Sequence, residues 1–397
     1  MRIAVIGRAR EGKSVLKFLK HHPRYRRARI VVLDQKDGPD YLAGLADFDI
    51  AFRSPGVPYN LPAIQSALRA GVKISSATKL FFDLCRAPII GVTGTKGKGT
   101  TSTLIYKILK ASGKKVLLAG NIGKSPLEII PQITPGTTVV LELSSFQLWD
   151  LGKSPRVAII TDIFPDHMDA HRDMKEYCAA KANIAVHQKK SDAVFYFAAN
   201  KQATTIAKKS PARKIAVAAP NTLEKNKVLA AAVAKYLGCP ENVIARVVKN
   251  YRGMEHRLEF VRRINGVGFY NDSASTNPQT TAAAVLSLSK DSLILIAGGK
   301  DKNLDYRPLR QALKKSPARM VILMGENKDK MEKALKASGV PVKKVAELAV
   351  AVQLAYNRAL AGRVPAVIFS PGAASFDMFR DYADRGKQFK KLVKKLK

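Results

Sequence analysis

The chain has 397 residues, 46% of them hydrophobic, which is enough for more than one buried core and sets a length prior of two or three domains. Its formal net charge is +37, but the basic residues are spread along the whole chain with no aromatic-interleaved stripe, so specific nucleic-acid binding is not expected. Three scattered cysteines, the start MRIAVIG and the lack of any span-length apolar run exclude a disulfide framework, a signal peptide and a transmembrane segment, leaving a soluble, cytoplasmic, monomeric protein as the expectation.

The first 87 residues alternate apolar strands (RIAVIG, ARIVVLD, DIAFRS) with helical spacing through Val15 to Leu19 and from Leu61. This pattern predicts a Rossmann-like parallel unit. GRAREG supplies Gly7 and Gly12 but has Ala9 at the middle position of the dinucleotide fingerprint, so a nucleotide or nucleotide-sugar site and a purely structural unit both fit. Asp34 ends the second strand, where a ribose or base contact would come, and Ser54 opens the turn after the third.

In IIGVTGTKGKGTTSTLIYKIL, residues 89–109, an apolar strand breaks into a glycine-rich turn and then into a helix whose Leu104, Ile105, Ile108 and Leu109 share one face. Gly94 and Gly97 allow a tight turn with close backbone approach, and a helix start near Thr100 would direct its positive end at an anion. Gly94, Thr95, Lys96, Gly97, Lys98, Gly99 and Thr100 thus read as a phosphate cradle, with Lys98 able to follow a γ-phosphate and Thr100 offering a hydroxyl to Mg²⁺. The stretch departs from the common P-loop spelling at Val92, which replaces the first glycine, and at Gly99, which replaces the metal-binding hydroxyl.

Two further strands end in polar groups: VLLAG runs into Asn121, and TTVVLELSS carries Glu142 inside an apolar run with Ser144 and Ser145 after it. A carboxylate there needs a partner, and Mg²⁺ is the natural one. VAIITDIFPDHMD then ends a strand and clusters Asp166, His167 and Asp169, making His167 a candidate metal or phosphate contact. Later strands SLILIAGG, MVILMG and PAVIFS alternate with helices and predict a third, Rossmann-like unit.

GTKGKGTT, GNIGK, LELSSFQL, DHMD, EHRLEF, YNDSASTNP, IAGGKDK and FSPGAASFDMFRDYADRGKQF occur in an order and at intervals that resemble the Mur ligases over nearly the whole chain. The resemblance implies three α/β domains: 1–87 for a UDP-linked substrate, 88–254 for ATP on a central, mostly parallel P-loop-type sheet, and 255–397 for the amino acid. It implies an ADP-forming amide ligase of peptidoglycan precursor synthesis. The match to FSPGAASFDMF points to the branch that adds D-glutamate to UDP-N-acetylmuramoyl-L-alanine.

By the same resemblance Lys98 and the loop amides hold the ATP phosphates, and Glu142, His167 and Thr100 hold two Mg²⁺ ions. Lys181 matches the lysine that the family carbamylates. Asn226 would touch adenine, and Arg257 and Asp272 would complete the ATP site after domain closure. Gly7, Asp34, Ser54, Asn121 and Ser144 would bind the UDP-linked substrate; Thr276, Lys302, Ser375 and Tyr382 would surround the amino acid. The departures are Gly99, Asp162 for an asparagine, Thr222 and Leu223 in the adenine motif, and Ala274 for a lysine, with Lys300 expected to compensate. These departures also frame two alternatives: a ligase for another amino acid, or a non-catalytic basic relative bound to an anionic polymer.

Overall fold

The computed structural model describes residues 1–168, 170–219, 224–288 and 291–397, so Asp169, Thr222 and Leu223 lie outside the described residues. The chain divides into two compact units, Met1–Tyr251 and Arg252–Lys397. The first unit carries two sheets and the second carries one, and each sheet lies within one of the three expected segments. Among the described residues no helix is long and apolar enough to cross a membrane.

The first sheet consists of β1 (Arg2–Ile6), β2 (Arg29–Leu33), β3 (Ile50–Arg53) and β4 (Lys73–Ser75), all parallel in the order β2-β1-β3-β4. The chain leaves β1 for β2 on one side and returns to β3 on the other, so a crevice opens at the carboxyl ends of β1 and β3. Parallel strands need helical crossovers, and Arg10–His21 and Pro62–Arg69 supply them. Gly12 is fixed by packing: a Cβ there would fall 1.8 Å from the Gly7 carbonyl oxygen.

The second sheet holds β5 (Ile89–Thr93), β6 (Val116–Gly120), β7 (Thr138–Glu142), β8 (Val157–Ile160), β9 (Ala193–Phe197) and β10 (Arg213–Val217), in the order β10-β9-β8-β5-β7-β6. Every residue of β5 is buried, as a central strand covered on both faces requires. Strand β5 lies between β7 and β8, which brings the loops after all three to one edge. The helix Lys98–Ala111 covers one face with Leu104, Ile105, Ile108 and Leu109, the expected stripe, and buries Thr101 as well. It starts two residues earlier than the sequence pattern places it, with Gly97, in the left-handed region at φ +92°, as its N-cap.

One buried apolar cluster runs from Ile3, Val5 and Phe81 to Val139, Leu141 and Ala158, which is why the first two sheets form a single unit. Polar ties add to it: Arg53, only 1% exposed, meets Asp150 at 3.0 Å, and Lys79 reaches the other carboxylate oxygen at 3.1 Å.

The second unit is a six-stranded sheet of β11 (Glu259–Ile264), β12 (Val267–Asn271), β13 (Leu293–Gly298), β14 (Ala318–Met324), β15 (Val342–Lys344) and β16 (Ala366–Phe369), in the order β11-β12-β16-β13-β14-β15. All pairs are parallel except the edge hairpin β11–β12. Its cores lie on both faces, around Phe269, Phe369 and Phe389 on one side and Leu295, Leu309 and Leu323 on the other. The expected α/β class and the parallel sheets are therefore found.

Candidate active site

The turn after β5 wraps around its own glycine. Gly94 has φ +146°, and a Cβ there would lie 2.0 Å from Thr161 Oγ1. This close approach leaves the Gly94 carbonyl pointing at two ammonium groups: Lys98 Nζ donates to it at 3.0 Å and Lys181 Nζ at 2.9 Å. Lys98 also donates to the Thr95 carbonyl at 3.0 Å. The amides of Thr95 and Lys96 donate to the Asp162 carbonyl at 2.6 and 3.3 Å, which ties the loop to the end of β8. Thr95 Oγ1 meets Tyr177 Oη at 2.9 Å. Under Gly97 sits Asn226, whose Oδ1 would be 2.3 Å from an added Cβ, so its carboxamide supports the loop. Beside the loop a cavity of about 230 Å³ is lined by Asp162, Phe164, Phe197 and Lys225, with the Asp162 carboxylate ion-paired to Lys225.

Lys181 is 1% exposed, on the helix Met174–Ala182, with its Nζ 4.5 Å from the Tyr177 ring centroid. Burial, with the positive charge of Lys98 nearby, holds its amine well below the ordinary lysine range, against the opposing pull of Asp166, Cys178 and Glu142. Burial pushes the Tyr177 phenol up to about 12. Glu142, at the end of β7 and 5% exposed, accepts from Asn121 Nδ2 at 2.8 Å through one carboxylate oxygen. Thr100 sits in the first turn of the loop helix, and Gly99 next to it brings no hydroxyl. His167 is half exposed, takes φ +56°, and packs its ring against Phe146 at 5.0 Å.

At the carboxyl ends of β1, β2 and β3 a cavity of about 1000 Å³ is lined by Gly7, Asp34, Ser54 and Asn121 among others. Asp34 accepts from the Arg8 and Lys36 amides at 2.6 and 3.1 Å, and these backbone donors hold its carboxyl below the usual range. Ser144 is not on this wall. It caps the short helix Ser145–Leu148, and Gln147 Oε1 accepts from its amide at 2.9 Å. Gln147 Nε2 then donates to Glu11 at 2.7 Å, and burial raises the Glu11 pKa.

In the second unit, loops after β12, β13 and β16 meet: the Gly372 amide donates to the Ser275 carbonyl at 2.9 Å, and Lys300 to the Ala374 carbonyl at 2.9 Å. Thr276 and the buried Ser375 lie on these loops, Lys302 stands over the Phe376 ring at 5.8 Å, and Tyr382 is exposed at the start of the helix Tyr382–Lys395. Asp272 accepts from Ser370 Oγ at 2.6 Å and from the Leu258 amide at 3.1 Å, and burial raises its pKa. Arg257 is exposed beside it. Lys300, the expected substitute for the lysine replaced by Ala274, is ion-paired to Glu326. Its charge is therefore already engaged.

Sequence reasoning missed Thr161, Tyr177, Glu11 and Gln147, which hold the loop and the Ser144 turn in place. It also missed His171, which is buried against Trp149 at 4.1 Å with its Nε2 3.0 Å from Ser145 Oγ. Thr161, at a strand end facing a glycine loop, was the one with a readable signal.

A phosphate-type loop at the switch point of a parallel sheet, backed by two lysines and a buried glutamate, defines an ATP-handling α/β enzyme. The model of the Mur ligase middle domain matches residues 92–246, and that of the Mur ligase glutamate ligase domain matches 256–371. The chain belongs to the Mur ligase family. Curated relatives are UDP-N-acetylmuramoylalanine–D-glutamate ligases: that of Acetivibrio thermocellus is 39% identical over 90% of this chain and 84% of its own length. That of Geobacillus kaustophilus is 32% identical over 100% of this chain and 98% of its own. Among solved structures, the UDP-N-acetylmuramate-alanine ligase MurC of Thermotoga maritima shares the fold at TM-score 0.55 and 15% identity, covering 99% of both chains. MurF of Acinetobacter baumannii does so at TM-score 0.55 and 14% identity, over 87% of this chain and 90% of its own.

Proposed function

We propose that this chain is the ATP-dependent, ADP-forming ligase that joins D-glutamate to UDP-N-acetylmuramoyl-L-alanine in the cytoplasmic stage of peptidoglycan synthesis. The observation that carries the reading is the Gly94 carbonyl gripped by Lys98 and Lys181 at the carboxyl end of β5, in a chain so similar to enzymes of that name over most of its length.

In this reading the γ-phosphate takes up Lys98 and the loop amides, so the ammonium leaves its two carbonyl acceptors and follows the transferred charge. The alanyl carboxylate attacks the γ-phosphorus, ADP leaves, and the resulting acyl phosphate is opened by the glutamate amine with loss of phosphate. The base of the nucleotide is assigned to the cavity beside Phe164 and Phe197, whose wall carries the Asp162–Lys225 ion pair, with Asn226, next to Lys225 in the chain, as the adenine contact. The cavity of Gly7, Asp34 and Ser54 takes the uridine end, and Asn121 connects its wall to Glu142.

Mg²⁺ takes oxygen ligands and keeps several waters, so the free carboxylate oxygen of Glu142 and the Thr100 hydroxyl fit it. We assign these two, with His167, to two ions, which would neutralise phosphate charge. Lys181 is assigned a carbamate: its buried amine is held toward the neutral, nucleophilic form that adds CO₂, and the product is an anion suited to a metal. Thr276, Lys302, Ser375 and Tyr382 are assigned to the glutamate, with Arg257 and Asp272 on the ATP.

The test is ADP release from UDP-N-acetylmuramoyl-L-alanine with a panel of amino acids. D-glutamate should drive it, neither substrate alone should, and Lys98→Ala should abolish it. Faster release with L-alanine, L-lysine or D-alanyl-D-alanine would refute the glutamate assignment.

A further inference from the structure

The helix Arg10–His21 has a second cavity on its outer side, of about 780 Å³, closed across by the turn from Lys124 to Pro131. It is lined by a different set of residues from the cavity at Gly7 and Asp34, with Arg10 common to both. Its wall combines two chemistries. Phe18 and the buried Leu127 give an apolar floor, while Lys13, Lys17 and Lys124 stand on the rim. The helical spacing of positions 13 and 17 puts both ammonium groups on one face, toward the turn that carries Lys124.

These three lysines make no ion pair among the described residues. Arg10 is already occupied, donating to the Gly123 and Gly120 carbonyls at 2.8 and 3.0 Å. Like charges gathered on one wall repel each other, and a bound anion removes that cost. Glu128 is the single carboxylate on this wall among the described residues, so the balance stays positive.

We propose that this cavity is a binding site for a small organic phosphate with an aromatic body, its phosphate held by Lys13, Lys17 and Lys124 and its ring laid on Phe18 and Leu127. Neither step of the ligation uses it.

The probe is 1-naphthyl phosphate, titrated by fluorescence anisotropy into the full chain without nucleotide, because ATP and UMP are themselves phosphates with an aromatic body and would compete for the cavity. The wild type should bind it, the lysine variants below separate this cavity from the other two anion sites, and 1-naphthol, which lacks the phosphate, should not bind. Lys13→Glu, Lys17→Glu and Lys124→Glu together should weaken binding by at least about tenfold, the scale of one charge-assisted contact. Arginine at the same three positions should keep it. Because the chain is strongly basic overall, the control is Lys391→Glu, Lys394→Glu and Lys395→Glu, which lowers net charge by the same amount at residues of the other unit. The proposal is overturned if the wild type fails to bind, if 1-naphthol binds equally, if the control loses as much affinity as the cavity variant, or if the arginine variant loses it too.

Discussion

Replacing Gly94 by alanine tests the geometry on which the whole loop rests. The residue holds φ +146°, a conformation that costs a non-glycine residue about 1–3 kcal/mol. The added Cβ would also sit 2.0 Å from Thr161 Oγ1 and 3.0 Å from the Asp162 carbonyl oxygen. Thr161 has little room to yield, because its hydroxyl is within 3.0 Å of the Thr93 carbonyl and 2.7 Å of the Lys96 carbonyl. Overpacking of this kind costs about 1–3 kcal/mol more, so the sum centres near 4 kcal/mol. For a unit of this size that amounts to a melting shift of roughly 8–16 °C. The assay is thermal unfolding followed by circular dichroism, alongside ADP release, which should fall because the Gly94 carbonyl orients both Lys98 and Lys181. Adding Thr161→Ala removes the clash but not the backbone strain. The double-mutant cycle should therefore return about 1–3 kcal/mol of coupling, with the strain left over. A Gly94→Ala protein with unchanged melting and turnover would refute the loop geometry, and zero coupling would refute the clash.

Asp150→Ala should destabilise the first unit by roughly 3 kcal/mol in urea titration, because it takes the paired carboxylate from the buried Arg53 and leaves it the neutral Val57 and Phe146 carbonyls and the Tyr59 ring face. Glu11 has a folded pKa raised by burial, so its contribution to stability is present below the ordinary carboxylate range and is lost as pH rises through the folded value. The gap in stability between wild type and Glu11→Gln should then move in favour of the variant from pH 4 to pH 8, and a pH-independent gap would show that Glu11 stays unperturbed. Lys181→Ala should lose ADP release and regain a good part of it with added acetate. Full activity without acetate would end the carbamate assignment.

Much of the architecture is legible in the sequence alone. Local periodicity determined it: fully buried apolar runs such as IIGVT read as parallel core strands, and the stripe Leu104, Ile105, Ile108 reads as one covered helix face, because side-chain direction repeats every two or 3.6 residues. Glycine punctuation likewise marked the phosphate loop, since only certain turns tolerate that spacing. The order of motifs identified the family. What no local signal could specify was contact between distant segments. Lys181 is one lysine among many in sequence, and only the fold buries it against Gly94, 87 positions away. Asn226, which the resemblance assigns to adenine, is brought under Gly97 only by tertiary packing. Lys300 was read as a spare cation, but the loop after β14 pairs it with Glu326. Such pairings depend on strand order, and strand order is decided by which crossovers can bury both sheet faces at once, a property of the assembled chain rather than of any stretch of it.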